Sequence, residues 1–206
     1  KELDKALKLV SRFANTISSS MSLHELAINV QAVLDSFIDV EYDAIYFFSD
    51  EKRSLELIYA KNFTEEERAE AERTAMDRHP GQVYKSKKPL LIPDTSKNKD
   101  SKSSKRSFVV NSRLFMPILI EDQCVGTFGL GSSHKNKFTD YDIQILSLVG
   151  SMAAMRFIAM KKESQIKAKN KELRSKIEQN KNQLKENTLL IERLKIINDF
   201  AVIIQN

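Results

Sequence analysis

Cysteine is almost missing: Cys124 is the only one in 206 residues. An intrachain disulfide is therefore excluded, and one thiol cannot complete a zinc site. Long apolar runs are missing as well. The longest clean one is Leu114–Ile120, with Pro117 inside it, whereas a membrane span takes ~18 apolar residues without a break. Residues 1–20 have no apolar core ending in a small-residue cleavage site, so no signal peptide is expected. Together these absences make a reducing cytoplasm the simplest compartment. No initiator Met stands before Lys1, which reads as a piece cut from a longer protein. There is no Gly-rich phosphate loop, no Ser-His-Asp order and no paired-carboxylate motif, so catalysis is not expected.

What is present is enough apolar material, 41% of residues, for one ordinary domain plus something elongated. The net charge of +5 is unevenly spread. Residues 161–195 hold eleven Lys/Arg against five Glu, which leaves the remainder slightly acidic. A basic helix could meet nucleic acid or an anionic membrane. No aromatic residue is interleaved from 161 to 195 as a stacking platform would need, so a solvated helix is expected instead.

Leu3, Leu7, Val10, Ala14 and Ile17 recur at helical spacing. Ser22-x-x-Glu25 reads as a capping box for a second helix with Leu26, Val30, Val33, Leu34 and Phe37 on its apolar face. Ala44–Phe48 and Leu55–Ala60 read as strands around a polar turn. Thr64 caps a third helix, and three glutamates follow it, favourable at the positive end of the helix dipole. His79-Pro80-Gly81 is expected to end that helix, with a helical turn at Gln82–Ser86 and a strand at Pro89–Ile92. Asp94–Ser107 has no apolar residue and is expected to be a mobile loop. Leu114–Ile120 and Cys124–Leu130 form a hairpin, and Thr139 caps a last helix.

That last helix changes character beyond Met160. Ile166, Leu173, Asn180, Asn187 and Leu194 repeat every seven residues, with Asn170, Ile177, Leu184 and Ile191 as the companion row. About 55 helical residues at ~1.5 Å each would make a rod of roughly 80 Å. A lone helix has nothing to bury such a stripe against, so a homodimer through the terminal helices is expected. The seam is polar at three Asn, and in a parallel pair Lys169 would face Arg174 and Lys176 would face Lys181. Leu7–Ile17 also lines up with Leu194–Ile204, sharing the Leu, Lys, Phe and Ala. The expected organisation is thus a domain at 1–160, a helical linker at 161–195, and the start of a following domain, a second similar unit in tandem, at 196–206.

Three stretches carry a family resemblance. Ser112-Arg113-Leu114-Phe115-Met116-Pro117-Ile118-Leu119-Ile120, Val125-Gly126-Thr127-Phe128-Gly129-Leu130, and Phe138-Thr139-x-x-Asp142 resemble the C-terminal half of GAF domains. The resemblance covers roughly residues 5–160. It implies an α+β fold, with a central antiparallel sheet of five or six strands, helices on both faces and a long coiled-coil-like helix at the C-terminus. It also implies a ligand pocket under the third helix and the long loop. Gly126 and Gly129 fit a strand that neighbours approach closely, and Pro117 fits an edge or a bulge.

The family's known chemistries each meet an obstacle here. Cyclic nucleotide binding goes with an Asn-Lys pair and then Phe, three residues and Asp-Glu. Here Ile143 replaces that Glu and Gly131-Ser132 falls near the Asn-Lys position. Bilin attachment needs a Cys on a pocket loop or helix, but Cys124 opens an apolar strand and reads as a small buried hydrophobe. Haem needs an axial ligand; of His24, His79 and His134 only His79 lies near the implied pocket rim. Reduction of free methionine sulfoxide, a further GAF activity, relies on several cysteines. The cofactor, if any, stays open.

The candidate pocket residues are Tyr46, Phe48, Tyr59, Met76, His79, Tyr84, Phe108, Arg113, Phe115 and Phe128, with Arg113 as an anchor for an anion. The same side chains could serve as plain core packing, Phe128 above all. The expected function is a small-molecule-sensing regulatory domain that relays through its C-terminal helix to a downstream output module. The alternatives are a dimerising spacer with a self-filled pocket and, last, a basic helix on nucleic acid.

Overall fold

A computed structural model of the chain describes residues 11–97 and 109–204, the last seven as backbone only. The expected helical positions Leu3, Leu7 and Val10, most of the polar loop and Phe108 lie outside the described residues, as do the side chains of 198–206. The chain divides into two compact units, 1–160 and 161–206.

The first unit is built on a five-stranded antiparallel sheet. Its strands are β1 (Tyr42–Ser49), β2 (Ser54–Lys61), β3 (Leu90–Ile92), β4 (Ser112–Ile120) and β5 (Gln123–Ser132), in the order β2-β1-β5-β4-β3. Four of the strands outrun their apolar stretches by a residue or two because the ladder recruits polar flanks, while β3 is one residue shorter than expected. β1 pairs Tyr42 with Gly131 and Asp43 with Lys61, for example. Pro117 sits in β4 beyond the end of three-residue β3, which pairs only with Arg113–Phe115. A missing backbone donor there breaks no ladder bond. Gly126 is required by its neighbour: a Cβ on it would lie 2.1 Å from the carbonyl oxygen of Tyr46.

Helices cover both faces, as an α+β sheet of this kind demands. On one face pack α1 (11–18), α2 (Leu23–Asp35) and the first turns of α5 (Asp140–Ile204). Their apolar stripes meet alternate strand residues in one core: Ile17, Leu26, Val30 and Leu34 from α1 and α2, Ile45 and Phe47 from β1, Phe128 from β5, and Leu146 and Val149 from α5. Phe47 stacks on Phe157 with ring centroids 4.8 Å apart. Part of α5 is apolar and long enough to cross a bilayer by composition. Its Leu146, Val149, Ala153 and Ala154 instead bury against this core.

On the other face lie α3 (Glu65–Arg73), a single 3-10 turn (Ala75–Asp77) and α4 (His79–Ser86). α3 starts at a full capping box: Thr64 Oγ1 accepts from Glu67 N, and Glu67 Oε2 accepts from Thr64 N. The helix ends at Arg73, before His79-Pro80-Gly81. Those three residues open α4 rather than closing α3, with Pro80 in the first turn. The reason is positional: proline lacks a donor that the first turn does not use, so it starts a helix as readily as it stops one.

The second unit is helical, and every side chain described in it, 161–197, is exposed. That includes the seam positions Ile166 at 60%, Ile177 at 64%, Leu184 at 68% and Ile191 at 66%. Glu172 and Lys176 close an i,i+4 ion pair at 2.5 Å.

Candidate functional site

Strand alternation sends Tyr42, Ala44 and Tyr46 of β1 and Arg113 and Phe115 of β4 to the face covered by α3 and α4. Between them β5 contributes Gly129 and Gly131, over which the Phe115 ring and Val110 pack closely. A Cβ at Gly129 would meet the Phe115 ring at 3.0 Å. Ala71 of α3, then Thr74, Ala75, Arg78, His79 and Pro80, form the opposite wall, and Phe63 and Val110 close the sides. The cavity is about 60 Å³ and is half open to solvent. That is several times the ~10–15 Å³ one water requires and under half of a ~150 Å³ cavity that takes benzene.

The wall is polar where α4 begins. His79 stacks on Phe115 with centroids 5.1 Å apart. Arg78 reaches outward to Glu70, Nη2 to Oε1 at 3.4 Å, and Arg73 bonds the other oxygen of the same carboxylate. Arg73's hydrogen bond holds the Glu70 carboxyl below its usual range. Tyr46 is buried and Arg113 half-buried.

Four of the residues expected from sequence, Tyr46, His79, Arg113 and Phe115, line this cavity. Phe48, Met76 and Tyr84 pack beside it in the same apolar cluster, and Phe48 stacks on Tyr84 at 4.8 Å. Tyr59 and Phe128 face the helices on the other side of the sheet. Tyr42, Arg78, Thr74, Gly129 and Gly131 line the cavity without having been singled out. Register with Arg113 is what would have pointed to Gly131, its partner across β4 and β5.

Behind the floor, on the face covered by α1, α2 and α5, Asp43 is 1% exposed and both carboxyl oxygens lack a hydrogen-bond partner. Burial pushes its pKa up to about 7; Lys61 pulls it down, Asp35 raises it, and Gln31 lowers it slightly. Gln31 donates to Asp35 Oδ1 at 3.0 Å, and Lys61 Nζ bonds the same oxygen at 2.8 Å. Gln31 Oε1 is also unpartnered, so a protonated Asp43 offers the one donor this cluster needs.

Just before β1, Glu41 accepts from Ser133 Oγ at 2.6 Å and Ser133 N at 3.2 Å. Burial opposes its ionisation, but the hydrogen bonds from Ser133 and Ser132 prevail and hold its pKa at about 2. His134 Nδ1 stands 3.4 Å from Ser133 Oγ and 3.5 Å from Glu41 Oε1. The serine donates to the carboxylate directly, with no imidazole between them, which is not the order a nucleophilic triad uses. Cys124 is half-buried, donates to Gly126 O at 3.2 Å, and burial raises its thiol pKa. Among the described residues no cluster of three or more His, Cys, Asp or Glu could hold a metal ion.

A family model for the GAF domain matches residues 20–156. Among solved structures, the GAF domain of an Acinetobacter phosphoenolpyruvate-protein phosphotransferase aligns with TM-score 0.64 at 18% identity, over 75% of this chain and 93% of that one. A domain assigned to a two-component sensor histidine kinase of Sinorhizobium meliloti aligns with TM-score 0.58 at 15% identity, over 72% and 99%. A free methionine-R-sulfoxide reductase from Neisseria meningitidis, solved with its substrate, aligns with TM-score 0.58 at 16% identity, over 75% and 89%. At these identities the likeness is one of fold. Comparison with curated proteins found no significant match.

Proposed function

The chain belongs to the GAF domain family, and from that premise we propose that it is a non-catalytic regulatory domain that senses a small molecule in the cavity between the sheet and α3–α4. Its C-terminal helix relays occupancy to a downstream output module. The observation that carries this reading is the cavity itself, about 60 Å³ between the sheet and α3–α4, lined by Tyr42, Tyr46, His79, Arg113 and Phe115. α3 buries no residue of its own, so a ligand can shift it cheaply. The thiol of Cys124 is half-buried and held protonated by burial, which argues against a redox or nucleophilic cysteine.

In the relay, the exposed heptad rows of residues 166–194 pair with those of a second copy, and Asn180 and Asn187 keep two packings close in energy. Thermal melts of the chain against a panel of metabolites and nucleotides test the sensor. A saturable rise in melting temperature is expected with at least one compound, and none with any compound would sink the reading.

A second reading is favoured by one fact, the small volume of the cavity, about 60 Å³ with Tyr46 only 3% exposed. On it the domain is a dimerising spacer. A melt insensitive to the whole panel, together with a dimer in solution, would select it.

A further inference from the structure

We propose that Asp43 and Gln31 form a proton-operated latch between β1 and α2, closed while the Asp43 carboxyl is neutral and released when it ionises. The latch lies on the face of the sheet away from the cavity, so it does not depend on what the cavity binds.

Donors and acceptors do not balance at this point of the core. Asp43 on β1 is 1% exposed and Gln31 on α2 is 4% exposed. Both carboxyl oxygens of Asp43 and Oε1 of Gln31 are buried without a hydrogen-bond partner. Gln31 Nε2 is already given to Asp35 Oδ1, which Lys61 Nζ also bonds. Three buried acceptors are thus left close together without a donor. A neutral Asp43 supplies one: its O–H donates to Gln31 Oε1 and satisfies both side chains. An ionised Asp43 supplies none and leaves a buried charge uncompensated, which is the costlier state.

The charged groups around Asp43 do not reverse this. α2 presents Asp35, and β2 presents Lys61 and Tyr59. Lys61 favours the ionised form and Asp35 opposes it, but Lys61 is tied to Asp35 at 2.8 Å. Arg68 of α3 bonds the Ala60 carbonyl. β5 places Leu130 opposite Asp43, and α1 brings Phe13 and Ile17 to the core on this face. Arg156 of α5 bonds the Ser20 carbonyl, and Glu41 is bonded by Ser133. Burial remains the largest influence, pushing the Asp43 pKa up to about 7.

Once ionised, the carboxylate draws the donors of the cluster. These are Gln31 Nε2 and Lys61 Nζ, and both must leave Asp35, the last residue of α2. α2 then loses its polar tie to β2. Val30 and Leu34 of α2 share one core with Leu146 and Val149 of α5, so the loosening reaches the first turns of α5. The proton becomes an input to the domain.

The test uses the whole 206-residue chain. Side-chain carboxyl carbons are titrated by NMR from about pH 5 to about pH 9, and amide exchange in α2 is followed over the same range, corrected for intrinsic exchange. One carboxyl should titrate with a midpoint of about 7 and be missing in Asp43→Asn. Lys61→Met should move that midpoint up and Asp35→Asn should move it down. Between about pH 6 and about pH 8, exchange at residues 30–35 should speed by about threefold or more beyond the intrinsic rise. In Asp43→Asn, whose amide keeps a donor for Gln31, that acceleration should vanish. Glu41→Gln should change neither readout. An Asp43 carboxyl still ionised at about pH 5 would overturn the proposal, because water or a cation would then be meeting its oxygens. A titration near neutrality with α2 exchange unmoved would overturn it too. If Asp43→Asn does not fold, the Lys61 and Asp35 variants decide: the α2 response must move with the midpoint in each, and a response that stays at its original pH sinks the latch.

Discussion

Asp43 and Glu41 stand two residues apart and titrate in opposite directions. Asp43 has a folded pKa of about 7, above the ~3.9 of an unfolded aspartate. Its stabilising share is therefore complete below about pH 4 and lost as pH rises to about 7, on the order of 3–4 kcal/mol in all. Glu41 has a folded pKa of about 2, below the ~4.3 of an unfolded glutamate. Its share is complete above about pH 4.3 and lost as pH falls toward 2, and partial exposure makes it smaller. These two groups together place a stability maximum near pH 4–5. Urea melts should show Asp43→Asn flattening only the alkaline limb and Glu41→Gln only the acid limb. A parallel alkaline limb in Asp43→Asn would contradict the buried-acid assignment. Sequence could point to Arg113, Phe115 and Tyr46 because each alternates with apolar strand residues that had to face the other way. It could not place Tyr59. Simple alternation sets Tyr59 on the face of Leu57, but a bulge pairs Ile45 with Tyr59 and Tyr46 with Leu57, which turns Tyr59 toward the helices. Arg78 was hidden for a related reason, since the segment meant to end one helix begins another.

At the level of elements, α3 is held by its cap more than by its packing, for it has no buried residue. Thr64→Ala should cost about 1 kcal/mol in a denaturant melt. Hydrogen exchange should show α3 opening before α2, which buries six residues. Equal protection of the two helices would count against α3 as the movable wall. In α5 the polar seam gives a sharper expectation. Asn180→Leu with Asn187→Leu replaces two seam polars by apolar residues, so helix pairing should tighten and melting temperature rise. No change in either mass or melting would show that the seam has no partner. The helix itself was legible, because residues 161–195 hold no Pro or Gly to break it. The short 3-10 turn at Ala75–Asp77 was not legible, since three residues carry no period.

For the whole molecule, charge distribution decides how association responds to salt. Eleven basic residues lie between 161 and 195 against five acidic ones. Pairing two such helices brings like charges together across the seam, and salt screens that repulsion. Sedimentation should therefore show tighter self-association as salt rises from about 0.05 to about 0.5 M. Binding to nucleic acid would fall steeply over the same range, so the sign of the effect separates the two. The architecture of the first unit was readable because its strands are bounded by turns and α2, α3 and α5 begin at Ser22, Thr64 and Thr139 caps.

The ordering β2-β1-β5-β4-β3 leaves two strands on the outside, and both are poor templates for a further one. β3 offers three residues, and β2 carries Glu56 and Lys61, each tied to a charged neighbour. Lateral growth by backbone pairing is thereby discouraged, so crowded or concentrated preparations should yield discrete assemblies rather than fibrils.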